Sequence, residues 1–209
     1  MGTRGACGLR KNSLDKVTYC HFDSYPKGLG KDMIGFVRGT SLADLNAAYD
    51  RLTLVNNDDV PTGEQIAHCQ TTGAGALPEY PNLQDGWYSL LREEQGYPEK
   101  WLTGSGFMID NHDFLAESLF CEWAYIVNLD EKTLEFYRGF NKDPKGSGRY
   151  AHLLEAPSND YYGKPMTQEW YGVTLITAVP IAVIQEATDE MITDLVTKLE
   201  DENSVWEVA

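Results

Sequence analysis

Between Cys121 and Arg138 the chain runs Cys121-Glu122-Trp123-Ala124-Tyr125-Ile126-Val127, turns through Asp130-Glu131-Lys132, and returns as Leu134-Glu135-Phe136-Tyr137-Arg138. Aromatic and β-branched residues on both sides of a polar turn specify an antiparallel hairpin. Trp123 and Tyr125 share one face of its first strand and are expected in the core. A second hairpin is expected at the N-terminus, where residues 5–10 and 17–22 flank Asn12-Ser13-Leu14-Asp15. A symmetric turn there sets Cys7 opposite Cys20. It puts Cys7, Leu9, Cys20 and Phe22 on one face and Arg4, Tyr19, His21 and Asp23 on the other, with Arg4 opposite Asp23. Val173-Thr174-Leu175-Ile176 adds a strand that stops before Pro180.

Helical periodicity fills much of the remainder. Met33, Ile34 and Val37 form an apolar face that ends at Gly39. Ser41 caps a helix carrying Leu42, Leu45, Tyr49 and Leu52 on one stripe. Pro61 starts a third helix ending near Gly73, and Leu83, Trp87, Leu90 and Leu91 predict a fourth, closed by Gly96. Met191, Ile192, Leu195, Val196 and Leu199 make the apolar face of a last helix, with Asp189 and Glu190 at its positive end. The expected class is α+β: a mainly antiparallel sheet built from two hairpins plus an added strand, with helices packed on one side. Residues 1–209 are expected to form a single domain, with 139–170 as a long loop or lid.

Charge narrows the partners. The net charge is −15, yet the first 38 residues hold seven Lys or Arg against three acids. A strongly acidic surface repels duplex nucleic acid and leaves room for a small anion near the basic segment. No apolar run reaches the length of a membrane span, and no signal-peptide core follows Met1, so a cytoplasmic protein is expected. Cys7, Cys20, Cys69 and Cys121 show no zinc spacing and are expected as buried thiols. Asp110, His112 and Asp113 are metal-ligating types, but Asn111-His112-Asp113 ahead of Phe114 suits a helix cap. No metal or cofactor is expected. The oligomeric state is left open.

The densest chemistry lies in Tyr19-Cys20-His21-Phe22-Asp23-Ser24-Tyr25-Pro26. On a strand His21 and Asp23 point the same way, so the carboxylate would fix the imidazole tautomer and raise its basicity. Arg4, across the hairpin, offers a bidentate grip on carboxylate or phosphate. Asp143-Pro144-Lys145-Gly146-Ser147-Gly148-Arg149 joins cations to flexible backbone, as phosphate contacts require, although its spacing is not that of a P-loop. There is no Gly-x-Ser-x-Gly elbow.

The opening Met1-Gly2-Thr3-Arg4-Gly5, the run from His21 to Pro26, and Gly28-Leu29-Gly30 form a signature. Glu122-Trp123-Ala124-Tyr125-Ile126-Val127-Asn128-Leu129-Asp130, leading into Leu134-Glu135-Phe136-Tyr137, completes it. Together they resemble a group of uncharacterised proteins encoded by bacteriophages, prophages and some bacteria. The resemblance implies a protein that acts on its host, and it assigns no catalytic residue.

The leading expectation is a phage-type ligand-binding protein that sequesters a small anionic molecule, such as a host defence signalling nucleotide, without catalysis. Arg4, Tyr19, His21, Asp23 and Tyr25 would form one wall, and Lys145, Arg149, Tyr161 and Tyr162 would close over it. One alternative is a hydrolase of a phosphoester or amide that uses His21 and Asp23. Another is an acidic protein inhibiting a basic host factor through the end of the last helix, at Glu200, Asp201 and Glu202.

Overall fold

The computed structural model describes residues 2–74, 86–143, 145–154 and 170–201. In chain order the strands are β1 (Gly5–Lys11), β2 (Leu14–Cys20), β3 (Thr53–Val55), β4 (Phe107–Ile109), β5 (Trp123–Asn128), β6 (Thr133–Arg138) and β7 (Thr174–Pro180). The helices are α1 (Lys31–Gly39), α2 (Leu42–Arg51), α3 (Gly63–Thr71), α4 (Trp87–Leu90), α5 (Lys100–Thr103), α6 (Ile181–Glu186) and α7 (Asp189–Glu200). Five strands form one sheet in the order β2-β1-β5-β6-β7, and β3 pairs with β4 in a small second sheet. The fold is α+β, and both expected hairpins lie in the large sheet. They join through a parallel ladder, Gly5 beside Trp123 to Arg10 beside Asn128, whereas the other pairs of that sheet are antiparallel. A parallel neighbour requires a long crossover. Here the chain from β2 to β5 supplies it and carries α1 to α5.

The N-terminal hairpin turns more tightly than a symmetric four-residue loop. Asn12 and Ser13 alone make the turn, both at positive φ (53° and 63°). Cys7 therefore faces Thr18, and Cys20 faces Gly5, instead of facing each other. Mirror-image two-residue turns match the right-handed twist of paired strands. The carboxylate of Asp130 accepts from the Asn12 and Ser13 amides (2.7 and 2.8 Å) and fixes this one in place. The partner of Cys7 moves by two residues, an even number, so each strand side chain keeps its expected face.

Helices cover one face of the sheet. Cys7, Leu9, Tyr125, Val127, Leu134 and Phe136 pack there against Met33, Ile34 and Val37 of α1, Leu45 and Ala48 of α2, Ile184 of α6, and Leu195 and Leu199 of α7. Ser41 caps α2 by accepting from the Asp44 amide, Thr62 and Gln65 form a capping box on α3, and Thr188 caps α7. The expected stripe of α7 is corrected at one position: Met191 is exposed, in the first turn beyond the edge of the core. Lys16 docks α2 by donating to the carbonyls of Tyr49 and Leu52 at its C-terminal end (2.8 and 2.5 Å). The expected helix over Leu83–Gly96 is reduced to α4 followed by turns, and Leu83 lies outside the described residues.

Among the described residues, the opposite face is covered by a short helical turn and irregular chain. Ala6, Val17, Ala124, Ile126 and Tyr137 meet Leu115 of the short helical turn His112–Ala116, together with Tyr150 and Val173. Charges are embedded at this face. The Arg149 guanidinium grips both oxygens of Glu135 (2.8 and 2.6 Å), and Asn128 and the Tyr137 hydroxyl donate to the same carboxylate. Arg10 pairs with Asp15 at 2.7 Å, and Arg149 lies 3.7 Å from Asp15. Burial first, and then the Glu135 charge, push the Tyr137 phenol far above its ordinary value, so it remains a donor.

Removing one member of a buried pair strands the other. Glu135→Leu is expected to lower stability by about 3 kcal/mol. The double variant Glu135→Leu/Arg149→Met should regain more than half of that loss in urea unfolding.

Candidate functional site

A cleft of about 480 Å³ opens at the C-terminal end of the edge strand β2, within the size range of small-molecule sites. Its first wall is the segment that follows β2. The strand ends at Cys20, and Asp23 then adopts a left-handed conformation (φ 51°) that reverses the chain. That reversal brings the Leu29 amide onto the Asp23 carbonyl at 2.8 Å. A Cβ on Gly28 would stand 2.0 Å from the same carbonyl oxygen, so this close approach requires glycine.

Two contacts tie the wall to the sheet. The Ser24 amide donates to the Thr3 carbonyl (3.1 Å). The buried Tyr125 hydroxyl donates to the Ser24 carbonyl (2.8 Å). Gly30 lets that tyrosine in, because a Cβ there would lie 2.9 Å from its hydroxyl. With Ser24 fully buried, Phe22, Asp23 and Tyr25 are left exposed along the wall.

The second wall is α4 and the turns after it. Trp87, Leu90 and Leu91 anchor it in a small core with Cys69 and Ile109. The buried Glu94 carboxylate accepts from the Ser105 amide and hydroxyl (2.8 and 2.7 Å) and pins the turn from below. Tyr88, Arg92, Glu93 and Tyr97 then face the cleft, with the Arg92 guanidinium 6.0 Å from the centre of the Tyr88 ring. The walls meet at Cys20 and Gly96. Gly96 has φ 75°, and a Cβ on it would stand 2.8 Å from the Cys20 sulfur. Asp32, in the first turn of α1, also lines the cleft. Burial first, and then the Glu99 carboxylate, raise its carboxyl above the ordinary value, with Lys31 opposing.

Of the residues singled out in the sequence, Tyr19, His21, Asp23 and Tyr25 line this cleft. Arg4 does not; it stacks on Phe120, 4.6 Å from the ring centre. Burial raises the Tyr19 phenol, and the nearby Arg4 charge opposes the rise. His21 Nδ1 is 2.8 Å from the Tyr19 hydroxyl, so the imidazole pairs with a phenol and not with Asp23. The alternation that would have aligned His21 with Asp23 ends with the strand. Lys145 is exposed outside the cleft, and Arg149 is held by Glu135. Tyr161 and Tyr162 lie outside the described residues. The second wall escaped the sequence reading because Tyr88, Arg92, Glu93 and Tyr97 belong to a stretch read only for its apolar residues.

Among the described residues, no three His, Cys, Asp or Glu side chains are grouped to hold a metal ion, and no helix is long and apolar enough to cross a membrane. Comparison with protein-family profiles, curated proteins and solved structures returns no match for this chain.

The wall hangs on Tyr125. Tyr125→Phe leaves the Ser24 carbonyl buried without its donor, a loss of about 1–3 kcal/mol. Hydrogen exchange should then speed up at the amides of residues 24–30, while those of β5 and β6 stay protected.

Proposed function

We propose that this chain is a ligand-binding protein that holds a small molecule in the cleft between Tyr19–Leu29 and Tyr88–Tyr97 and returns it unchanged. The observation that carries this reading is a cleft of ligand size with aromatic side chains on both walls, Phe22 and Tyr25 facing Tyr88 and Tyr97. Rings on two sides bury a flat or apolar ligand body, and a few polar groups orient it. Catalysis has less support. His21 is engaged by Tyr19, and no carboxylate among the described residues aligns it as a base.

The resemblance to bacteriophage proteins gives the reading its setting: a cytoplasmic protein that withdraws a host molecule, including one from defence signalling, from circulation. A ligand rich in phosphate is the poorer fit. Among the described residues, Arg92 is the one Lys or Arg along the lining, and Arg4, Lys145 and Arg149 are not part of it.

The test is mass spectrometry of the small molecules released by heating protein purified from its producing cells. One compound, near equimolar and chemically intact, is expected, and Tyr25→Ala/Tyr88→Ala protein should release far less of it. Release of a converted product, no bound compound, or equal release from the double variant would contradict capture in this cleft.

A further inference from the structure

The charges lining the cleft identify the kind of molecule it takes, given that the cleft is the ligand site. Asp23, Asp32 and Glu93 line the cleft with Arg92 as the one Lys or Arg among the described lining residues, and Lys31 offsets part of the Asp32 charge. Among the described residues, none of the three carboxylates enters an ion pair. Unpaired carboxylates at a partly enclosed surface leave a negative potential that a bound cation relieves. The acidic chain as a whole, at −15, deepens that potential.

The rings supply the second half of the recognition. Tyr25, Tyr88 and Tyr97 remain 38%, 38% and 49% exposed, so their surfaces are open to a ligand. The negative face of an aromatic ring attracts an ammonium or guanidinium group. Arg92 already uses Tyr88 in this way. A metal ion is a poor match, because the carboxylates do not gather around a point. A diffuse charge with apolar substituents suits separated carboxylates and rings better.

We infer that the cleft binds a small organic cation, an alkylammonium or quaternary ammonium compound, between the tyrosine rings and the carboxylates of Asp23, Asp32 and Glu93. Its charge lies toward the carboxylates, and its alkyl groups lie against the rings.

Titration calorimetry with choline, inosine and AMP as probes tests this. Choline is expected to bind, with affinity falling as salt rises. Asp32→Asn and Glu93→Gln should each weaken it about tenfold, with unchanged circular dichroism showing that the fold is kept. AMP should bind more weakly than choline. Two results would overturn the inference: no binding of choline, or choline affinity unaffected by both substitutions together. If inosine or AMP binds more tightly than choline and Tyr25→Ala abolishes that binding, the cation is wrong while ligand capture in the cleft stands. If none of the three binds, the cation is again wrong, and the heat-release experiment alone decides whether the cleft holds a ligand.

Discussion

The parallel contact between β1 and β5 is the constraint from which the rest of the architecture follows. It fuses two hairpins that are distant in sequence into one sheet, and the backbone beyond both strand ends extends it. The Glu122 amide donates to the Arg4 carbonyl (3.0 Å) and the Leu129 amide to the Arg10 carbonyl (2.8 Å). Gly5 permits the approach, since a Cβ there would lie 2.4 Å from the Trp123 carbonyl oxygen. Because neighbouring parallel strands cannot be joined by a tight turn, the intervening chain must cross over. That crossover carries both walls of the cleft. The strand at the centre of the contact also holds Tyr125, whose hydroxyl fixes the first wall.

Stability and site geometry are thus coupled through a few backbone contacts. The first wall keeps a left-handed Asp23, a conformation that costs free energy and persists where its surroundings impose it. Those surroundings are the Leu29 amide, the Thr3 carbonyl and the buried tyrosine. On the opposite face of the sheet the charges of Glu135, Arg149, Arg10 and Asp15 are spent on one another. At the cleft, Asp23, Asp32 and Glu93 enter no ion pair with the described residues.

Much of the fold was legible because period-2 and period-3.6 patterns are local. The hairpin of β5 and β6, the cap at Ser41 and the apolar stripe around Leu195 followed from residue spacing alone. Cys7 and Cys20 were assigned to the correct face although their register was displaced, since the face depends only on parity. The turn was misjudged because Asn12 and Ser13 both take positive φ, and the carboxylate that holds their amides, Asp130, is far away in sequence. For the site, Tyr19, His21, Asp23 and Tyr25 stood out as a dense polar run. Their partners across the cleft did not, because Tyr88 and Tyr97 face them only through tertiary packing. Of the residues expected to close over the site, Lys145 and Arg149 are not among the cleft lining. Arg149 looks free in sequence, but Glu135 lies opposite it in space.

Hydrogen–deuterium exchange with and without saturating choline tests the central claim, that a small molecule is held between these two walls, most directly. Slower exchange is expected within residues 20–30 and 88–97, with the β5–β6 hairpin unchanged. Protection confined to other segments, or no protection while choline is bound, would contradict the account.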